Sequence, residues 1–120
     1  MSTVETTLDL HELREHVAAG DAEAFARLLA EDVVFTVIDQ RTPPAAPAVL
    51  RGRAAVVAMI ESAHSRGIVT HVTDGFLAGD RGALQLICTY PAGGQVVEHA
   101  LVEIRDGLIA RWSGVQAWDE

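Results

Sequence analysis

Alternation of apolar and polar side chains is clearest near the end of the chain, from Gly93 to Trp118. Two alternating runs there flank Arg105-Asp106-Gly107. An Asp-Gly pair between such runs predicts a β-hairpin, because the turn residues must tolerate positive φ. A period of two sends successive side chains to opposite faces of a sheet. Both faces of this hairpin carry large apolar side chains, so we expect both to be covered.

Helical spacing dominates the first part of the chain. Leu10, Leu13 and Val17 predict a helix from about residue 8 to residue 19, and Gly20 stands where a C-cap glycine is expected. Asp21 is a natural N-cap for a second helix. Apolar residues at positions 56, 59, 60 and 63 predict a third, amphipathic helix that starts after residue 52 and ends near residue 67.

The remaining segments are predicted strands and one loop. Residues 33–38 form a β-branched and aromatic run that ends at Asp39, and residues 68–77 and 83–90 predict two further strands. Three prolines between residues 40 and 50 predict a stiff loop. The order α-α-β-α-β-β-β-β is typical of one α+β domain, here residues 1–120, whose helices cover one face of a curved sheet. We expect a binding pocket between helices and sheet.

Composition narrows the choice of partner and compartment. The net charge is −8, and the nine basic residues are scattered, which argues against nucleic acid as a partner. No apolar run approaches the ~20 residues of a membrane helix, and the N-terminus lacks the layout of a signal peptide. The single Cys88 is compatible with a reducing compartment. We therefore expect a cytoplasmic protein with no membrane contact.

Four short motifs are spread over nearly the whole chain, and each occurs once. In order they are Ala19-Gly20-Asp21, Leu28-Leu29-Ala30-Glu31-Asp32, Arg51-Gly52 and Arg105-Asp106-Gly107-Leu108-Ile109. With this spacing the chain resembles the nuclear transport factor 2-like superfamily, in particular its SnoaL-like and ketosteroid isomerase-like branches. The resemblance implies a cone-shaped fold, in which a curved, mostly antiparallel sheet wraps around a pocket covered by three N-terminal helices. Many members also pair through the convex face of the sheet.

The resemblance also implies a register for the pocket wall. It places Ala100 where ketosteroid isomerases carry an acidic residue, Val37 at their general base and Leu13 at their tyrosine, so we do not expect steroid isomerisation by that mechanism. The pocket residues predicted from this register and from alternation are mainly apolar and suit a hydrophobic, planar ligand. They are Phe35, Val37, Met59, Leu86, Cys88, Ala100, Val102, Trp112, Gln116 and Trp118.

Four residues are candidates for chemistry. His71 lies where dehydratase-like relatives place a catalytic histidine, and a histidine can transfer protons near neutral pH. Asp39 would orient it, Tyr90 would donate a hydrogen bond to a carbonyl oxygen, and Glu98 would act as general acid or base. Each has a structural alternative: an exposed strand histidine, a turn cap, a packing residue and a carboxylate that reaches water.

Metal and cofactor sites are not expected. Glu98 and His99 are adjacent on one strand and must point to opposite faces. The chain has no glycine-rich phosphate loop and no other cofactor motif. Cys88 is interpreted as a small buried filler, because no basic partner for a thiolate is evident.

Two functions therefore compete. The first is a small cofactor-free enzyme of the lyase, isomerase or cyclase type, which carries out acid/base chemistry on an apolar carbonyl compound. The alternative is a non-catalytic small-molecule-binding or accessory protein of the same fold. A docking dimer with a filled pocket is a third possibility. In each case we expect a homodimer through the convex face, which carries Gln85, Ile87, Thr89, Val97, His99 and Leu101.

Overall fold

The computed structural model describes residues 8–119. Three helices begin in the first half of the chain, and four of the six strands lie in the second half. In chain order the elements are α1 (Leu10–Ala19), α2 (Ala22–Ala26), β1 (Leu29–Ile38), β2 (Ala48–Arg51), α3 (Arg53–Ser65), β3 (Val69–Ala78), β4 (Arg81–Thr89), β5 (Gln95–Arg105) and β6 (Leu108–Trp118).

The predicted caps Gly20 and Asp21 lie at the end of α1 and the start of α2, whereas the N-cap of α1 at Asp9 was not predicted. The Asp9 carboxylate accepts hydrogen bonds from two backbone N–H groups of the first turn of α1, and Gly20 ends this helix in the left-handed conformation with φ 65°. The Asp21 carboxylate accepts a hydrogen bond of 3.0 Å from the Ala24 N–H at the start of α2. These caps fix the tight corner between α1 and α2.

The six strands form one curved, mixed sheet in the order β2-β1-β6-β5-β4-β3. Strand β1 runs parallel to β6, and the other neighbours are antiparallel. The predicted Asp-Gly turn joins β5 to β6, with φ 55° at Asp106 and φ 77° at Gly107. The α+β cone fold predicted from the sequence is thereby confirmed.

The segment that follows the prolines differs from the prediction. Residues 40–50 were expected to form a loop throughout, but β2 begins at Ala48 and pairs with β1, where Leu50 lies opposite Phe35. A short strand is compatible with the prolines because it starts after Pro47 and lies at the edge of the sheet. Strand β1 also begins earlier than predicted, at Leu29, and an irregularity separates Leu29 from Val34 in its pairing with β6.

The core lies between the helices and the inner face of the sheet. Leu13 of α1 and Val56 of α3 are fully buried there. The Trp112 ring stacks on Phe35 with centroids 4.9 Å apart, and it meets Phe25 edge to face at 6.5 Å. Trp112 is thus held between the first strand and the second helix, and it forms a rigid wall next to the space described below.

The outer face of the sheet is not covered by any element within residues 8–119. Phe76, Leu101 and Val115 are 62%, 60% and 56% exposed on it. Together with Ile38 and Ala83 they line a shallow groove across the strands. Among the described helices, none combines the length and the apolar character needed to cross a membrane.

Candidate functional site

A cavity of about 320 Å³ lies between the three helices and the inner face of the sheet. Seven of the pocket residues predicted from the sequence line it: Phe35, Val37, Met59, Leu86, Cys88, Trp112 and Gln116. Two of the four candidates for chemistry, Tyr90 and Glu98, line it as well. The volume is at the lower end of the range typical of small-molecule sites.

The cavity has a buried end and an open end. Phe25, Leu86 and Glu98 are buried at one end. Met59 of α3 and Tyr90 at the end of β4 are exposed and mark the mouth. A ligand that enters past α3 would therefore reach buried Glu98 last.

Glu98 is the buried charged residue of the described chain, with 7% of its surface exposed. Its Oε2 accepts a hydrogen bond of 2.7 Å from the Trp112 Nε1–H, and its Oε1 accepts one of 3.0 Å from the Gln116 Nε2–H. Gln116 in turn accepts a bond of 2.9 Å at Oε1 from the Trp118 Nε1–H. A buried carboxylate requires such partners, because burial without them costs several kcal/mol, roughly.

The direction of this hydrogen-bond chain follows from its two ends. An indole N–H can only donate. Trp118 therefore fixes the oxygen of the Gln116 amide toward itself, and the amide NH₂ must point at Glu98. Trp112 donates to the other oxygen, so both Glu98 oxygens are acceptors. This is the pattern that suits an ionised carboxylate with lone pairs left for a ligand.

Glycine makes room for the Glu98 side chain. Gly114 of β6 lies diagonally across from Glu98, and a Cβ built on it would overlap the Glu98 carboxylate. The carboxylate therefore rests directly against the β6 backbone. Any larger residue at position 114 would push Glu98 out of reach of Trp112 or Gln116.

Cys88 lies in the same cavity, beside Thr70. The Thr70 hydroxyl is 3.3 Å from the Cys88 Sγ and donates to it. Burial raises the pKa of the Cys88 thiol; the hydrogen bond from Thr70 opposes this rise, and the charge of Glu98 adds to it. Cys88 thus remains a thiol near neutral pH, which agrees with its interpretation as a small packing residue. Its pKa also depends on the charge of Glu98.

His71 is placed differently from the expectation. It lies between Thr70, which lines the cavity, and buried Val72, so alternation along β3 turns it to the outer face, where it is exposed. The predicted contact with Asp39 does not form: the Asp39 carboxylate accepts bonds from the backbone N–H groups of Arg41 and Thr42, at 2.7 and 2.9 Å. His71 therefore lies outside the cavity, as an exposed strand histidine.

Asp39 itself caps the turn after β1. Burial acts to raise its pKa, but the hydrogen bonds from Arg41 and Thr42 outweigh it, so the pKa of Asp39 lies below its ordinary value. It is not among the residues that line the cavity. Asp39 therefore caps the turn, and it is not placed to transfer a proton in the cavity.

Three predicted pocket residues lie behind the wall. Ala100 and Val102 are buried in the core cluster between sheet and helices, where they support the lining residues without reaching the space. Trp118 contacts Gln116, and the Arg41 guanidinium lies 5.4 Å from the centre of its ring. Trp118 therefore acts on the site through Gln116.

The cavity also contains polar residues that the sequence analysis missed. His16 of α1, His64 of α3 and Arg66 line it on the helix side. A signal was available: His16 is three residues after buried Leu13, and His64 is four after Ile60, so each shares a helix face with an apolar residue. Within residues 8–119, no three His, Cys, Asp or Glu side chains come together as metal ligands would.

Comparison with known proteins identifies the fold family. A family model described as a SnoaL-like domain matches residues 10–112. No curated protein sequence matches the chain. Among solved structures, a candidate ketosteroid isomerase from Kribbella flavida is 24% identical, with a TM-score of 0.73, and the match covers 92% of this chain and 74% of that one.

Two further solved structures show the same architecture. A candidate polyketide cyclase from Sinorhizobium meliloti is 19% identical, with a TM-score of 0.65, and the match covers 88% of this chain and 91% of that one. A protein of unknown function with a cystatin-like fold from Methylobium petroleophilum is 12% identical, with a TM-score of 0.74 and coverage of 95% and 80%. Likeness at these identities establishes the fold alone. Since the family model spans most of the chain and the strand order agrees with the predicted cone, the protein belongs to the SnoaL-like family of the nuclear transport factor 2-like superfamily.

Proposed function

We propose that the protein is a cofactor-free enzyme that binds an apolar carbonyl compound in this cavity and uses Glu98 to move a proton. The observation that carries the proposal is the buried Glu98 carboxylate, held by the indole of Trp112 and the amide of Gln116 at the closed end of an apolar cavity. Burying a charged group in an apolar interior costs folding free energy, and buried charged groups are frequent at functional sites.

The proposed step is proton abstraction next to a carbonyl. An oxygen of Glu98 takes the proton from the α-carbon, and the C–H electron pair moves into the carbonyl to give an enolate. The protonated Glu98 then returns a proton to carbon, at the same or a conjugated position. The Tyr90 hydroxyl at the mouth is the proposed hydrogen-bond donor to an oxygen at the outer end of the ligand.

Deuterium exchange into 2-tetralone tests this step without knowledge of the natural substrate. 2-Tetralone is apolar and has acidic C–H groups next to its carbonyl. In D₂O we expect the protein to speed the appearance of deuterium at these carbons, followed by NMR. The variant Glu98→Gln should reduce the enzyme-dependent rate by about 10²-fold or more, which is the usual contribution of a general base.

The control variant is His99→Gln. His99 is next to Glu98 in the chain but lies exposed on the outer face of β5, so the exchange rate should equal that of the wild type. Binding of 2-tetralone, measured by calorimetry in the same buffer, separates the two candidate functions. Binding with no acceleration of exchange would contradict the enzyme and favour the non-catalytic binding protein.

We also propose that the chain forms a homodimer through the outer face of the sheet. The support is the row of exposed apolar side chains at Phe76, Leu101 and Val115, which is more apolar surface than a monomer usually leaves in water. Light scattering at micromolar concentration should give the mass of two chains, and Leu101→Arg should give the mass of one. A wild-type mass of one chain would contradict the proposal.

A further inference from the structure

We propose, on the basis of the function just proposed, that the ligand is an amphipathic acid whose anionic group lies at the mouth beside His16, His64 and Arg66 and whose hydrogen-bond donor meets Glu98. The two ends of the cavity differ in the kind of polar group that they present. Nitrogen-bearing cationic or neutral side chains line the helix side, whereas the closed end presents carboxylate oxygens. A ligand that satisfies both ends must carry opposite polarity at its two ends.

Arg66 supplies the charge at the mouth. Its guanidinium is permanently cationic and offers several N–H donors suited to a carboxylate. The ion pairs found among residues 8–119 involve His11, His16, Arg105 and Arg111, so Arg66 has no carboxylate partner there. In a chain with a net charge of −8, an arginine that lines an apolar cavity without a carboxylate partner is a suitable site for an anion.

Two histidines converge on the same region from different helices. His64 lies in the last turn of α3, and its ring packs against Gly20, where a Cβ would overlap it. His16 lies in the last turn of α1, 3.4 Å from Glu12. Cations near helix C-termini also interact favourably with the helix dipole. The helix dipole explains why each side chain is favourable at its own helix end. It does not explain why all three line the same cavity.

The closed end requires a donor. Both Glu98 oxygens already accept from Trp112 and Gln116, and a carboxylate has no N–H or O–H of its own. A ligand group that approaches Glu98 must therefore offer a hydrogen: a hydroxyl, an N–H or an acidic C–H. A second carboxylate or a carbonyl oxygen at this end would be repelled.

Three naphthalene probes separate these requirements. 6-Hydroxy-2-naphthoic acid carries both groups, 2-naphthol carries the donor alone, and 2-naphthoic acid carries the anion alone. By calorimetry at neutral pH we expect the hydroxy acid to bind about tenfold or more tightly than either of the others, because a charge-assisted hydrogen bond contributes roughly that much.

The matched variants are Arg66→Gln at the mouth and Arg81→Gln at the start of β4, outside the cavity. Arg66→Gln should weaken binding of both acids by about tenfold and leave 2-naphthol unchanged. Arg81→Gln should change none of the three. Glu98→Gln should weaken 2-naphthol and the hydroxy acid but not 2-naphthoic acid.

The outcomes are distinct. If 2-naphthol binds as tightly as the hydroxy acid, or if Arg66→Gln weakens all three probes equally, the proposed ligand class is overturned while the proposed binding cavity stands. If none of the probes binds, the ligand class is overturned, and the proposed function is then decided by binding and exchange of 2-tetralone alone. If the acid-dependent pattern appears but 2-tetralone shows no exchange, the ligand class stands and the proposed enzyme does not.

Discussion

Glu98 and His99 are adjacent on β5, and each belongs to a chain of hydrogen bonds on its own face of the sheet. On the inner face, Glu98 is buried against the Trp112 and Gln116 side chains. On the outer face, the His99 ring lies 2.9 Å from Gln85 Oε1, and Gln85 donates a bond of 3.0 Å to Thr73. The inner chain joins four side chains through three bonds and the outer chain joins three side chains through two. Their distances are similar, and they differ in access to water.

That difference decides what each chain can do. In a single chain, water can reach every member of the outer chain, and in the proposed dimer a second chain would cover His99 and Gln85. In either case the His99 ring can change its tautomer, so no member has a fixed role. The inner chain ends in indole N–H groups that cannot reverse, and its carboxylate is shielded from solvent. The neighbouring residues Glu98 and His99 thus belong to two different networks, one buried with fixed donors and one exposed on the single chain. Burial and donor-only partners, not residue type, make the inner face the candidate site.

The largest change in the free energy of unfolding is expected from Gly114→Ala, which acts on the inner face. The new methyl group would occupy the space of the Glu98 carboxylate, so the hydrogen bonds to Trp112 and Gln116 would be lost or the strands would separate. We expect a loss of about 2–4 kcal/mol in the free energy of unfolding, from overpacking and broken buried bonds together. Urea denaturation measures it.

The matched control is Gly94→Ala in the turn before β5. No atom lies within 4 Å of a Cβ built there, so its unfolding free energy should stay within about 0.5 kcal/mol of the wild type. The pair Glu98→Ala/Gly114→Ala should recover part of the loss, because the clash is removed. Equal stability of the two single glycine variants would contradict the described fit of Glu98 against β6.

A smaller effect is expected from Trp112→Phe. Phenylalanine keeps an aromatic ring near Phe25 and Phe35 but leaves Glu98 Oε2 without its indole donor. Loss of a buried hydrogen bond to a charged group should cost about 1.5–3 kcal/mol. Thermal or urea unfolding of this variant, compared with His99→Gln at less than about 0.5 kcal/mol, tests the difference between the faces. Similar losses in both variants would remove the distinction.

The smallest effect is expected from Trp118→Phe, one step further along the inner chain. Gln116 would lose the bond of 2.9 Å at its Oε1, but its NH₂ would still favour the Glu98 carboxylate. Because Trp118 is partly exposed, we expect a loss of about 1 kcal/mol or less. A loss as large as that of Trp112→Phe would show that the Glu98 site depends on the whole chain and not on its first donors.

The sequence predicted the faces of β5 and β6 because a period of two is imposed by strand geometry. The family resemblance placed Ala100 in the pocket, alternation then assigned Glu98 and Trp112 to the inner face, and they lie there. The hydrogen bonds themselves depend on the β5–β6 register, which sets Glu98 opposite Gln116. Alternation alone does not supply that register.

The edge strand and the helix side were harder to predict. The run around His71 mixes polar and apolar residues without clear alternation, and its pairing with β4 shifts between Val72 and Asp74. Its faces are therefore set by tertiary packing. The polar mouth was missed for another reason. Helical spacing puts His16 and His64 on faces shared with apolar residues, but Arg66 follows the last turn of α3, and its place at the cavity depends on tertiary packing.

The charge of Glu98 inside the cavity can be measured through the pH dependence of Cys88 alkylation with iodoacetamide. Burial and the charge of Glu98 both raise the pKa of the Cys88 thiol. Since the thiolate is the reactive form, Glu98→Gln should shift the midpoint of the rate-versus-pH curve to lower pH, and His99→Gln should leave it unchanged. The plateau rate at high pH reports access separately. An unchanged midpoint in Glu98→Gln would mean that Glu98 carries no charge beside Cys88.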